Sequence, residues 1–392
     1  MSLEASTLWT HAPDTEQLRR VLQRMLESDD LALLTWNSHP IGSQHPNPVT
    51  GGVYRFRGMA GLPGCTASWS VILKVSVRDP ERDHPSHYNY WKREALIYQS
   101  GLLGRLPDRI RAPRCYGVEE RPDGSIWLWL EDMEHLRQAD WSLTSMEAAA
   151  FIAGRFNGAY LCGLPLPEPS FLRYSWMGSW VSVCEAYACG LAEQDDAWTA
   201  AAQLPSGWQA ALSSIRSRYR ESMGDKGHLL EALERLPRVF VHQDLWPPNL
   251  YFPEEGGHTD ALHIIDWQFA GISGIGEELG RFYGLYLSKA ASHGLQPPKD
   301  RLLEQYLKGL RKAGWNGDER LVRFGLNASA GLRIVMVLPK LLNAIAGLEG
   351  GGFRCLDKAE KLRHTALELL NCLEEASQLL HELWPGEAGG QS

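Results

Sequence analysis

One polar loop constrains this chain more than any other feature. Val241-His242-Gln243-Asp244-Leu245-Trp246-Pro247-Pro248-Asn249-Leu250 lies between short apolar runs, Arg238–Val241 before it and Leu250–Phe252 after it. A third run, Ala261–Ile265, ends on Asp266. These runs have strand character in a region that is otherwise mostly helical, over Ser145–Cys162, 181–236 and 276–384, with a loop-like stretch at 163–180. The chain therefore cannot be a plain helical bundle: a small island of strands must hold a loop rich in polar groups.

The segment from Ala32 to Asp132 has the opposite texture. Gly52–Arg57 alternates, and Trp69–Val77 is rich in β-branched residues, as strands are. Cys115–Glu120 and Ser125–Glu131 flank Arg121-Pro122-Asp123-Gly124, which has turn chemistry and predicts a hairpin. Pro85–Leu103 predicts a helix within this segment, and residues 1–30 predict a helical lead-in. Ser145–Cys162 predicts an amphipathic helix with Ser142 or Thr144 as its cap. The expectation is an α+β, two-lobed architecture. A small β-rich N-terminal lobe spans residues 1–131, and a large, mainly helical C-terminal lobe spans 132–392.

Composition narrows the function. The 392 residues are 44% apolar and 22% charged, ample for a core and far from disorder. With 39 Lys and Arg against 47 Asp and Glu the net charge is −8, and no basic run suits a nucleic acid. A cationic or neutral small partner fits this balance better. Seven cysteines without a CxxC argue against a disulfide framework or structural zinc. The opening MSLEAST has no basic-then-apolar pattern, and no charge-free run of ~18 apolar residues appears. A cytoplasmic protein without a membrane segment is expected. Fifteen tryptophans are unusual.

The loop reads H-x-D-x4-N, followed by Ile264-Ile265-Asp266-Trp267. These residue types suit phosphoryl transfer. A carboxylate accepts or orients the proton of an attacking hydroxyl, and an amide oxygen with a second carboxylate holds Mg²⁺ against phosphates. Asp244 is the expected base, His242 a hydrogen-bonding brace, and Asn249 and Asp266 the metal ligands. In Val71-Ile72-Leu73-Lys74-Val75 a charge sits inside an apolar strand. Alternation puts Trp69, Val71, Leu73, Val75 and Val77 on one apolar face. Lys74 faces the other side, toward solvent or a cleft. Glu94, twenty residues on, is its candidate partner. Pro48–Tyr54 links two predicted strands, so Gly51 and Gly52 form either a plain turn or a loop able to approach phosphates.

Taken together, Lys74, Glu94, His242-x-Asp244-x4-Asn249 and Ile265-Asp266-Trp267 resemble the aminoglycoside phosphotransferase and choline kinase-like small-molecule kinases, which share the protein-kinase fold. Gly276-Glu277-Glu278-Leu279-Gly280-Arg281 is similar to that group's segment after the metal Asp. Two positions depart from it: Gln243 where Gly is frequent, and Glu278 where Asp is frequent. The resemblance implies ATP or GTP as donor, Mg²⁺, a small hydroxyl acceptor, and a hinge at Glu131-Asp132-Met133 whose backbone meets the base. A nucleotide-binding regulatory pseudokinase is the alternative.

The acceptor is less constrained. Glu185, Glu193, Asp195, Asp196, Glu277 and Glu278 either line a site for a cationic acceptor or form a solvated acidic surface. Trp176, Trp180, Trp246 and Trp267 either wall a pocket or pack in the core. Trp69, Trp91, Trp127 and Trp129 fall on the elements that carry Lys74, Glu94 and the hinge.

Overall fold

A computed structural model of the chain describes residues 13–42, 47–107, 109–188, 190–192, 198, 206–253, 261–293, 298–346 and 353–385. Helix α1 (Thr15–Leu26) starts on a reciprocal cap between Asp14 and Gln17. Strands β1 (Ala32–Ile41), β2 (Thr50–Leu62) and β3 (Cys65–Ser76) follow as an antiparallel meander. After α2 (Arg93–Gln99) come the short β4 (Ile110–Arg111), then β5 (Cys115–Glu120) and β6 (Ile126–Glu131). Strands β1-β2-β3-β6-β5, in that order, form the N-terminal sheet. The expected hairpin turn is present, closed by Gly124 in the left-handed region at φ 81°.

Strand alternation gives this sheet two apolar faces. Tyr54, Phe56, Trp69, Val71, Leu73, Trp127 and Trp129 pack against Leu18, Val21 and Leu22 of α1. Ile126, Leu128 and Leu130 point the other way, onto Trp91 and Ala95. Trp69, Trp127 and Trp129 thus fill the core beneath α1 and do not frame the cleft.

The helix expected over Pro85–Leu103 is shorter, because residues 85–92 form a loop wrapped around one side chain. The guanidinium of Arg93, fully buried, donates to the carbonyls of Pro85, Tyr88 and His87 within the lobe and of Phe171 and Gln268 outside it. Those carbonyls would otherwise need helical partners. The wrap seats α2, and with it Glu94, on the second lobe.

Strand β7 (Arg137–Gln138) leads into the helical lobe: α3 (Leu143–Leu161), α4 (Trp176–Ala188), α5 (Ser206–Gly224) and α6 (Lys226–Arg235). The strand island follows as β8 (Arg238–Val241), β9 (Leu250–Phe252), β10 (Leu262–Ile264) and β11 (Gly271–Gly274). Helices α7 (Glu277–His293), α8 (Lys299–Lys312), α9 (Glu319–Gly331), α10 (Ile334–Ala346) and α11 (Phe353–Leu383) complete it. Strands β4-β10-β9-β7 form one small sheet and β11-β8 another, so the polar loop is pinned at both ends by different sheets. Helix α3 starts on Ser142, one of its two candidate caps, but is buried nearly all round and is not the amphipathic surface helix expected. The stretch Glu319–Ala346 has the length and apolarity to cross a bilayer, yet 83% of its apolar window is buried inside this lobe, where it serves as core.

Helices α3 and α8 cross at two glycines. A Cβ on Gly154 would lie 2.1 Å from the Tyr306 carbonyl oxygen, and one on Gly309 would lie 2.0 Å from that of Phe151. Gly309→Val should therefore destabilise the protein by about 1–3 kcal/mol or more through overpacking. Urea titration would show this as a lowered midpoint at unchanged slope.

Candidate active site

Lys74 leaves β3 on the face opposite Val71 and Leu73 and is buried between two carboxylates. Its Nζ lies 2.6 Å from Glu94 Oε2 and 2.8 Å from Asp266 Oδ1. Burial alone would lower the lysine, but Asp266 and Glu94 outweigh it and raise the ammonium above its ordinary range. Burial likewise raises Asp266, and the Lys74 ammonium overcomes that and holds the carboxyl below the usual carboxylate range. Glu94 Oε1 accepts the Trp267 N–H at 3.1 Å, so one carboxylate grips both the lysine and the backbone after Asp266. Asp266 takes a left-handed conformation at φ 64° and keeps 40% of its side chain exposed to the cleft.

The loop His242–Asn249 presents the second half of the site. His242 Nδ1 accepts the Asp244 N–H at 3.2 Å, and its other ring nitrogen lies 3.1 Å from the Ile265 carbonyl oxygen. That network assigns a neutral imidazole with the proton on Nε2. Burial pushes His242 down to about 4, consistent with the brace expected of it. The Asn249 amide nitrogen donates to the Asp244 carbonyl and to Asp244 Oδ2, both at 3.0 Å. Its amide oxygen is thereby the atom left for a cation. The Ile265 N–H donates to the Asn249 carbonyl at 3.0 Å and ties the two candidate metal ligands to one place.

Asp244 is the loop's candidate base. Burial raises its carboxyl, opposed by the Arg281 guanidinium 2.7 Å from Oδ1. Arg281 Nε also donates to the Gln243 carbonyl, and its guanidinium lies 4.3 Å from the Trp176 ring centroid. Gln243, where glycine is frequent in the similar kinases, has φ 64°. A left-handed backbone costs a side-chain-bearing residue about 1–2 kcal/mol, which glycine avoids. Here the Gln243 amide donates to Ser273 Oγ at 2.9 Å, and Arg281 holds its carbonyl.

Glu278 does something the sequence did not suggest. It is buried and accepts the backbone N–H groups of His242 at 2.6 Å and Gln243 at 3.1 Å. Its other oxygen accepts from Asn157, which in turn accepts from the Tyr306 hydroxyl at 2.6 Å. Glu277 accepts the Gly274 N–H at 2.6 Å. Burial pushes both glutamates up to about 7. They are neither an acceptor lining nor a solvated surface, because backbone donors consume them. Glu185 pairs with Lys226 at 2.5 Å. Glu193, Asp195 and Asp196 lie outside the described residues. Trp267 and Trp176 are fully buried and Trp180 nearly so, and only Trp246 of the four is partly exposed. Trp267 stacks on Phe240, meets His242 edge-on at 4.7 Å and donates to the Ile264 carbonyl, so it braces the loop from the core.

Gly51 and Gly52 are not in a loop between strands. They open β2 beside a register shift, with Gly52 opposite Val75 and Val53 opposite Lys74. The reason for Gly51 is space: its Cβ would lie 2.6 Å from Val77 Cγ1. At the hinge, the Glu131 N–H is spent on the Arg114 carbonyl, and its carboxylate accepts the Arg114 N–H. Met133 is buried and opens a short 3₁₀ turn capped by Asp132. Asp132 ties this hinge to the sheet through Arg55 at 2.7 Å and through Ser70. An open cavity of about 710 Å³ beside the hinge, lined by Arg57, Met59, Ser68, Tyr116 and Glu134 among others, contains none of the cleft's reactive groups.

The fold has solved counterparts. A choline kinase from Cryptosporidium parvum superposes with a TM-score of 0.54 at 12% identity, covering 95% of this chain and 99% of that one. A choline/ethanolamine kinase family protein from Mesorhizobium loti gives 0.50 at 12% identity, with the same coverages of 95% and 99%. An ethanolamine kinase from Plasmodium vivax gives 0.50 at 12% identity over 94% and 96%. The chain thus has the two-lobed, protein-kinase-like α+β fold of these small-molecule kinases. Residues 218–373 match a family model described as "Uncharacterized oxidoreductase dhs-27". Among the described strands the one parallel ladder is the two-residue pairing of β4 with β10, so the described residues contain no βαβ dinucleotide-binding sheet. No curated protein matches the sequence.

His242 yields a pH test. Between about pH 4 and 6.5 the unfolded histidine binds a proton that the folded one refuses. Its contribution to stability is therefore complete above 6.5 and lost as pH falls toward 4, on the order of 3 kcal/mol in all. Glu277 and Glu278 act with the opposite sign between 4.5 and 7, so the difference between wild type and His242→Asn isolates the imidazole. Urea unfolding across this range should show the gap closing as pH drops, and a constant gap would refute the assignment.

Proposed function

We propose that this protein is a phosphotransferase that moves the γ-phosphoryl group of ATP or GTP to a hydroxyl of a small molecule. The observation that carries this reading is convergence. Lys74 and Asp266, 192 residues apart, meet at 2.8 Å, and the strand preceding Asp266 is bonded to the loop that presents Asp244 and Asn249. Each group suits one part of the chemistry. Lys74, held by Glu94, is a fixed positive charge for donor phosphates. Asp244 is oriented by Asn249 and Arg281 to accept the proton of the attacking hydroxyl. The Met133 N–H, at the start of the hinge turn, is the donor this reading assigns to the base.

Asp266 and the Asn249 amide oxygen also fit Mg²⁺. They are hard oxygen donors and only two, and no group of three or more His, Cys, Asp or Glu forms a cage among the described residues. Mg²⁺ suits such a sparse site because it retains waters and substrate phosphates as ligands. When bound, the ion would offset phosphate charge. Free thiols at Cys65, Cys115, Cys162, Cys184 and Cys372 accord with a cytoplasmic setting, which is part of the same proposal.

Asp244→Asn should lower transfer at least about 100-fold while leaving Mg·ATP binding within a few-fold of wild type. Calorimetry and a coupled ADP-release assay measure the two quantities. A near-wild-type rate in that variant would sink the mechanism.

A further inference from the structure

Positive charge gathers around Asp244 from two guanidiniums. Arg281, which spends its charge on Asp244, is one contributor. The other is Arg333, between α9 and α10. Gly284 on α7 leaves room for its stem, since a Cβ there would fall 2.3 Å from Arg333 Cδ. The guanidinium lies 5.1 Å from the Trp180 ring centroid and within electrostatic reach of Arg281, Asp244 and Cys184. Arg333 is 3% exposed, and its Nη1 has no hydrogen-bond partner among the described residues. Burial and then Arg281 push it down to about 9, so it stays charged at neutral pH. Burial pushes the Cys184 thiol up to about 11, so that group is neutral and supplies no counter-charge. Lys340, exposed two turns along α10, adds a further positive charge near the same thiol.

Arg281 takes up the Asp244 carboxylate, the expected base, and Arg333 makes no ion pair among the described residues. A buried cation without a partner is costly and calls for an explanation such as an absent ligand. A choline-like or aminosugar cation would add to the repulsion here. We propose that the acceptor carries an anionic oxygen group, a carboxylate or a phosphate, which Arg333 binds while the acceptor's hydroxyl meets Asp244. Trp180, under the guanidinium, holds it in place by cation–π contact. Arg333 is then a specificity-determining residue, and the inference rests on the phosphotransferase reading only for the role of the hydroxyl.

The test uses the full chain and measures binding with a non-transferable Mg·ATP analogue present and turnover, separately, with Mg·ATP. The probes are glycerate for a carboxylate, glycerol 3-phosphate for a phosphate, glycerol as the neutral control and ethanolamine as the cation. Tryptophan fluorescence, with Trp180 as the local reporter, and thermal shift read binding. At least one anion should bind, glycerol and ethanolamine should not, and the two anion arms identify which group is taken. Arg333→Met should weaken that anion about 10- to 100-fold, and Arg333→Lys should recover part of the loss. Thermal melting without probe confirms that both variants fold. If neither anion binds wild type, or if Arg333→Met binds it unchanged, the inference is overturned. Anion binding that depends on Arg333 without turnover supports this site and counts against phosphoryl transfer to the bound anion. Turnover of ethanolamine or glycerol with no anion binding does the reverse.

Discussion

The ammonium of Lys74, buried between Glu94 and Asp266, is the interaction on which the arrangement depends. The three groups come from a strand of one lobe, a helix of the same lobe, and the strand island of the other. A lysine cannot sit in that place without both carboxylates, because desolvation would drive off its proton. Nor can Glu94 be buried without the lysine and the Trp267 N–H. The contact therefore works as a gauge: it closes only when α2 is seated, and Arg93, the residue before Glu94, seats it by tying loop 85–92 to carbonyls of both lobes.

A second buried carboxylate does the same for the loop His242–Asn249. Glu278 replaces solvent at two consecutive N–H groups, His242 and Gln243, and is backed by Asn157 and Tyr306 from α3 and α8. With the backbone held there, Gln243 tolerates a left-handed conformation and Asp244 is aimed into the cleft. The close crossing of α3 and α8 at Gly154 and Gly309 brings Asn157 and Tyr306 within reach of each other. A packing feature far from the reacting atoms thus has a chemical consequence.

Much of this was legible in the sequence. Strand alternation put Lys74 opposite an apolar face, and the spacing of His242, Asp244, Asn249 and Asp266 was visible as text. The small N-terminal sheet and the hairpin were carried by turn residues and β-branched runs, local signals that tertiary packing did not override. The misplaced elements have a common cause. Residues 85–92 lost their helix to Arg93, Gly51 and Gly52 lie in a strand paired with β3, and the tryptophans near the site proved mostly core. Each outcome is decided by side-chain contacts outside the local hydrophobic pattern, which periodicity cannot register.

Electrostatics of the acceptor side shows the same division. From the chain alone, acidic residues and a net charge of −8 favoured a cationic or neutral partner. Folding spends Glu277 and Glu278 on backbone donors and Glu185 on Lys226, and it leaves Arg333 buried without a described counter-charge. What the sequence alone determined was which chemical groups are present and which are spaced to act together, because side-chain type and local periodicity are properties of the chain. Only the tertiary structure decided which charges were spent on the fold and which were left for a ligand. That depends on desolvation and on partners as far apart in the chain as Lys74 and Asp266, 192 residues.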